Sequence, residues 1–193
     1  MTKKELTSLI IMCFVIGYGA YKYFTREYTE VRSRYMLDTI VEISATSKLK
    51  TIGSQIDSVF SYIQSLESKF DEYNTDSYIS KINNSQEFTF PMDDDLYNLL
   101  VIADSLWRIT DGAFDITIKP VWDTWRFNEE SPVLPDSIQI ASMIQHIGFD
   151  KLHFDKKLLT KPVDLKLTFG AIAKGYILDK AKDKMISMGL SNG

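Results

Sequence analysis

The residues best suited to chemistry lie near the end of the chain, within residues 168–179. Gly170, Lys174 and Gly175 follow an alternating apolar run, residues 163–169, that predicts a strand, and a helical pattern begins after the first glycine. The free N–H groups of a helix's first turn and the Lys174 ammonium together suit an anion such as phosphate. The stretch is not a P-loop, because Lys174 precedes its last glycine. A turn that needs glycine for steric reasons, with Lys174 in solvent, explains the same residues, and the sequence leaves both interpretations open.

Two further residues are candidates for ligand contact. Tyr73 lies in a polar stretch, residues 70–83, where its flat ring either stacks on a planar ligand or packs on the domain surface. Asp115 has apolar neighbours, so its carboxylate either caps backbone N–H groups or contacts a ligand. The sequence decides neither question.

Composition limits the other kinds of site. Cys13 is the single cysteine, which excludes a disulfide framework and a cysteine-based zinc site. The two histidines, His146 and His153, are too few for a histidine cluster, so a metal would need oxygen ligands, and we expect neither histidine to be catalytic. A net charge of −4 with no long basic run argues against nucleic-acid binding.

Residues 1–25 have the layout of a membrane anchor or a signal peptide. Lys3 and Lys4 precede a run, residues 6–24, that carries no charge before Lys22. The lysines indicate the cytoplasmic flank. We expect an uncleaved anchor; export with cleavage, and a buried helix of a cytosolic fold, are the alternatives.

The rest of the chain alternates predicted helices and strands, which predicts an α+β fold with a mixed sheet and packed helices. The predicted elements are a charged connector (26–34), a first strand (35–45), amphipathic helices (51–70 with Ser47 as cap, 93–110, 136–147 and from 172 onward), a short helix within 70–83, an extended run (113–118) and two short strands (151–155 and 158–160). Because this order ends directly after a helix, we expect the domain to be incomplete at its C-terminal end.

In this order the elements resemble one family, the FAD:protein FMN transferases or ApbE family, from about Met36 to Gly193. The motifs that carry the resemblance are Leu37-Asp38-Thr39, Leu66-Glu67, Tyr73, Ser77 to Asn83, Thr110-Asp111-Gly112-Ala113-Phe114-Asp115-Ile116-Thr117 followed by Pro120 and Trp125, and Gly170-Ala171-Ile172-Ala173-Lys174-Gly175-Tyr176 with Asp179.

The resemblance implies transfer of the FMN half of FAD onto a Thr or Ser hydroxyl of an acceptor protein, with release of AMP and assistance from Mg²⁺. A non-transferring FAD-binding protein and an FAD pyrophosphatase are the alternatives. The positions that match flavin-nucleotide contacts are Leu37, Tyr73, Ala113, Phe114, Asp115, Thr168 and Lys174, and the position of Ala171 contributes to the metal. No residue is assigned a catalytic role.

The resemblance also implies an organisation and a location. Residues 1–25 would be the membrane segment, 26–34 the connector and 35–193 the flavin transferase domain, on the extracytoplasmic side of a bacterial inner membrane. The acceptor would be a redox-pump or respiratory subunit.

The chain departs from the family at several positions. Leu37 stands where Met is common and Thr168 where many members carry Asp, and Ala171 offers a metal only its backbone carbonyl. In the family, a Gly-Gly-Asp strand and a later Asp-x-x-x-Thr segment, which supply side-chain metal ligands, follow the position of Gly193. We therefore expect the N-terminal part of a transferase, inactive as an isolated fragment.

Overall fold

The computed structural model describes residues 2–48, 50–127 and 130–190 and has an α+β architecture. The helices are α1 (Lys3–Phe24), α2 (Ile52–Phe70), α3 (Tyr78–Asn84), α4 (Asp94–Ile109), α5 (Lys119–Trp122), α6 (Ser137–Ile144) and α7 (Ala173–Ser187), with short 3-10 helices at Asp123–Trp125 and Phe149–Lys151. The strands are β1 (Tyr28–Met36), β2 (Thr39–Ser47), β3 (Thr89–Pro91), β4 (His153–Phe154) and β5 (Leu158–Thr160). Two compact units are present: the first holds residues up to Ile63 and from Lys180 onward, and the second holds Gln64–Asp179.

Helix α1, in the first unit, has the length and composition of a membrane-crossing helix. Its mean hydropathy is 1.3 and none of its residues is buried. A signal sequence near the N-terminus would have the same properties.

The first unit also contains a β-hairpin. Strands β1 and β2 pair antiparallel, with Tyr28 opposite Ser47. Leu37 and Asp38 form the turn with φ values of 53° and 55°, as a two-residue type I′ turn requires. The single strand predicted over residues 35–45 is therefore wrong, and most of the residues assigned to a connector are strand. The turn was missed because it contains neither Gly nor Asn, the usual signal for this geometry.

Helix α2 confirms the predicted apolar stripe. Buried side chains along the helix are Ile52, Ile56, Val59, Phe60, Ile63, Leu66 and Phe70. The predicted cap is wrong, because Ser47 belongs to β2 and the helix begins at Ile52. Within the first unit, Arg32 and Arg34 bind the Asp57 carboxylate at 2.5 and 2.7 Å. The hydrogen bond from Arg32 is the main reason that the pKa of Asp57 lies below its ordinary value.

The second unit contains a small sheet and the helices around it. The strand order is β3-β5-β4, and both neighbouring pairs are antiparallel, which confirms the two predicted short strands. Helix α4 confirms the helix predicted over 93–110, and the Asp93 side chain caps it by accepting a hydrogen bond from the Leu96 N–H at 3.0 Å. The short helix α3 is also confirmed.

Two predictions of extended structure in the second unit are wrong. Residues 163–169 have the predicted alternation, with Leu165, Leu167 and Phe169 buried, but they form no strand ladder. Residues 113–118 form turns instead of an extended run. In residues 163–169 the sequence pattern reports burial, whereas a ladder also needs a partner strand that the pattern does not specify.

Helix α6 shows the same limit of a periodic pattern. Asp136 caps the helix in a capping box with Gln139, as a start at residue 136 predicts. None of its residues is buried, and Ile138 is 81% exposed. The predicted helix with an apolar face is therefore present, but none of the described residues buries that face.

Candidate functional site

A buried asparagine joins helix α3 to the stretch that carries Thr168, one of the predicted site residues of the second unit. The Asn83 side chain donates to the Leu167 carbonyl and accepts from the Leu167 N–H, both at 2.8 Å. The next residue, Thr168, donates its backbone N–H to the Ile116 carbonyl at 2.8 Å. Thr168 is therefore fixed between helix α3 and the turn that carries Asp115.

Asp115 organises the turns around it. Its Oδ1 accepts from both the N–H and the hydroxyl of Thr117 at 2.7 Å, and its Oδ2 accepts from the Phe149 N–H at 3.1 Å. The Thr117 hydroxyl in turn accepts from the Gly148 N–H at 2.7 Å. Of the two alternatives that the sequence left open, the capping role is present. A contact of Asp115 with a ligand stays a prediction.

Ala113 and Phe114 lie on a tightly closed turn after α4. The Gly112 N–H donates to the Trp107 carbonyl at 2.9 Å, and the Phe114 N–H donates to the Thr110 hydroxyl at 2.9 Å. Gly112 has a φ of 79°, which glycine adopts without strain. Ala113 is exposed and Phe114 is half-buried, so a rigid turn presents both residues.

Lys174 lies in the first turn of α7. The backbone N–H groups of Ile172 and Ala173 both donate to the Phe169 carbonyl, at 2.9 and 2.7 Å, so the chain turns sharply into the helix. Lys174 is exposed, and its ammonium forms no ion pair within the described ranges 2–48, 50–127 and 130–190. A cation beside a helix N-terminus suits an anion. The phosphate contact itself stays a prediction.

The glycines beside Lys174 are not required by the backbone. Neither Gly170 nor Gly175 has a positive φ. A Cβ at Gly175 would meet nothing within 4 Å, and one at Gly170 would come no closer than 3.7 Å to the Thr168 hydroxyl. A larger side chain would therefore fit at Gly170 and at Gly175 without a clash within the chain. The interpretation that this turn needs glycine for steric reasons is not supported.

Tyr73 is exposed beside a buried lysine. Its side chain is 57% exposed, and the Lys119 Nζ lies over the ring, 5.4 Å from its centroid. The same Nζ is 2.9 Å from Asp123 Oδ1 and 3.9 Å from Glu72 Oε1. The sequence reasoning missed Lys119 and Glu72. The available signal was a lysine placed among the apolar residues of the segment 116–122.

Leu37 belongs to the first unit, where it forms the tip of the hairpin. It is 7% exposed and has a φ of 53°. A bulky residue in the left-handed region is strained, and such strain collects at ligand sites. Contact with a flavin nucleotide stays a prediction for Leu37.

The predicted metal contact is the backbone carbonyl of Ala171. Among the described residues, no group of three or more His, Cys, Asp or Glu side chains is placed to hold a metal ion. Ala171 is exposed, and its backbone carbonyl is its only metal donor. A contribution of this carbonyl to a metal site stays a prediction.

Comparison with known proteins gives consistent matches. The chain is 23% identical to the FAD:protein FMN transferase of Haemophilus influenzae and 30% identical to that of Chlamydia muridarum, covering 98% and 72% of this chain. It spans 58% and 44% of the lengths of those two relatives, which is about half.

Solved structures have the same fold. The ApbE protein from Thermotoga maritima matches with a TM-score of 0.76 at 26% identity, over 83% of this chain and 53% of that one. The flavin transferase ApbE from Vibrio cholerae matches with a TM-score of 0.78 at 22% identity, over 86% of this chain and 56% of that one.

The family model described as the ApbE family matches residues 37–193. This range includes every residue of the predicted site, from Leu37 to Lys174, and it leaves out α1. The chain belongs to the ApbE family.

Proposed function

We propose that this chain supplies the flavin-nucleotide-binding part of an FAD:protein FMN transferase. The observation that carries the proposal is the junction at Thr168, which ties α3, the Asp115 turn and the start of α7 together within one unit. Relatives that cover most of this chain are named for this activity, and the chain spans about half of their length.

The proposed roles follow from the chemistry of each side chain. Tyr73 offers an exposed aromatic face for stacking on the isoalloxazine ring. Lys174 and the N-terminal turn of α7 offer positive charge to the pyrophosphate. Ala113, Phe114 and Thr168 lie on rigid turns that border the nucleotide. An apolar contact from Leu37 is proposed from its match to the family motif alone.

The proposed reaction is a displacement at the pyrophosphate. A hydroxyl oxygen of an acceptor Thr or Ser bonds to the phosphorus of the FMN half, the bond from that phosphorus to the bridging oxygen breaks, and AMP leaves. The hydroxyl proton is lost in the same process. Binding and orientation of FAD are the contributions assigned to this chain's residues.

Two further properties belong to the proposal. Mg²⁺ would offset negative charge on the pyrophosphate oxygens, with ligands other than the described side chains. Helix α1 would anchor residues 35–193 on the extracytoplasmic side of a bacterial inner membrane, next to a redox-pump or respiratory subunit that serves as the acceptor.

The test incubates the full-length protein with FAD, Mg²⁺ and detergent-solubilised membrane proteins of the source organism as an acceptor pool. Transfer produces a fluorescent band that survives denaturing electrophoresis, together with free AMP. Tight FAD binding without a band or AMP favours a non-transferring flavin protein. Free FMN in the absence of any acceptor favours a pyrophosphatase, and a protein that binds no FAD refutes all three.

A further inference from the structure

A cluster of three charged side chains, two of them largely buried, lies directly beside Tyr73 in the second unit. The side chains of Glu72 and Lys119 are each only 10% exposed, and Asp123 completes the cluster. Glu72 Oε2 is buried and has no hydrogen-bond partner among the described residues. Burying charges costs free energy that ion pairing only partly returns, so stability alone does not account for the cluster.

The cluster fixes the position of one ammonium group. Asp123 holds the Lys119 Nζ at 2.9 Å, and Glu72 approaches it at 3.9 Å. The backbone of Glu72 is itself held, because its carbonyl accepts from the Ser80 hydroxyl of α3 at 3.1 Å. The ammonium therefore has little freedom to move.

The fixed ammonium lies against one face of the Tyr73 ring. It is 5.4 Å from the ring centroid, within the range in which a cation is attracted to an aromatic face. The ring is 57% exposed. One face of the ring is therefore held by protein while much of the side chain remains open to solvent.

We propose that Lys119 is a positioning residue for flavin stacking: Glu72 and Asp123 hold its ammonium on one face of Tyr73, and this contact orients the opposite face toward the isoalloxazine ring. The inference rests on the proposed function. A ring that is already ordered loses less conformational entropy when the ligand binds. Lys119 acts through Tyr73 and not on the phosphates, so its effect is the same for FAD and for riboflavin.

The first experiment measures flavin affinity by fluorescence titration of the full-length protein. Lys119→Met keeps an unbranched side chain one atom shorter and removes the charge. We expect it to weaken the binding of FAD and of riboflavin equally, by about fivefold, the scale of a partly desolvated cation–π contact. Lys119→Arg restores the affinity. In a Tyr73→Ala background, Lys119→Met changes the affinity less than twofold. Weakening of FAD alone would make Lys119 a phosphate contact and would overturn the proposal.

The matched control is Lys69→Met. Lys69 also pairs with two carboxylates, Asp93 and Asp95, and its Nζ lies 5.8 Å from the Tyr78 ring centroid. It has the same chemistry away from Tyr73, so we expect its removal to leave flavin affinity unchanged. If Lys119→Met does not fold, the double variant Glu72→Gln with Lys119→Met replaces it, since that variant leaves no unpaired Glu72 charge.

The second experiment does not need a ligand. The protein is labelled with 3-fluorotyrosine, and the ¹⁹F resonance that disappears in Tyr73→Phe is assigned to Tyr73. Lys119→Met shifts and narrows this resonance if the ammonium orders the ring; an unchanged resonance overturns the proposal. If the unaltered protein binds neither FAD nor riboflavin, the proposed function fails, and the ligand part of this inference fails with it, even where the ring resonance responds as expected.

Discussion

Replacement of Asn83 by Ala removes the amide that joins α3 to the stretch before α7. Asn83 is 4% exposed, and it is the partner of both backbone groups of Leu167, at 2.8 Å each. A buried backbone group that loses its partner costs about 1–3 kcal/mol. Two such groups lower the free energy of unfolding by about 2–5 kcal/mol, with partial rescue where water enters.

Urea unfolding followed by tryptophan fluorescence measures this change. All three tryptophans, Trp107, Trp122 and Trp125, lie in the second unit, so the signal reports the unit that contains Asn83. The neighbouring residue provides a matched control. Asn84 is exposed at the end of the same helix, and we expect Asn84→Ala to change the unfolding free energy by less than about 0.5 kcal/mol.

Asn83→Asp adds a sharper test. A charged carboxylate can accept from the Leu167 N–H but repels the Leu167 carbonyl, whereas a protonated one can serve both groups. The pKa of the introduced carboxyl is therefore raised by folding, and the destabilisation lessens as the pH falls below that pKa. Loss of stability equal to that of Asn84→Ala, or no pH dependence for Asn83→Asp, would refute the bridging role.

Three other predictions concern single side chains. Lys174→Ala weakens FAD binding more than riboflavin binding, because riboflavin lacks phosphate; equal losses in fluorescence titrations would remove Lys174 from the phosphate site. Asp115→Asn lowers the unfolding free energy by about 1.5–3 kcal/mol, the scale of a charge-assisted hydrogen bond lost to the Asp115 carboxylate, while the exposed Asp111→Asn changes it little. Lys161 is 1% exposed, and burial lowers the pKa of its ammonium. Between that lowered pKa and 10.5 the unfolded chain therefore binds more protons than the folded chain, so the free energy of unfolding rises with pH across this window. We expect Lys161→Met to lack this rise when urea unfolding is measured at several pH values.

Local patterns in the sequence determined the helices. The stripe of α2, the starts of α4 and α6 and the short helix α3 could all be predicted, because a 3.6-residue period and the residues that favour a helix start act within a few residues of each other. The motifs of the flavin transferases could also be recognised in the sequence, because each is short and they follow one another in a fixed order along the chain. The exposed face of α6 marks the limit: periodicity defines an apolar face but not what covers it.

The tertiary structure decided the contacts between distant residues. Pairing made a strand of residues 28–36, whereas residues 163–169 pair with no strand and form no ladder. Asn83 meets Leu167 across 84 positions, and Lys119, at the start of α5, reaches the ring of Tyr73 in the turn between α2 and α3. Such contacts form only when folding closes the chain between them, and no local spacing in the sequence specifies which side chains will then face each other.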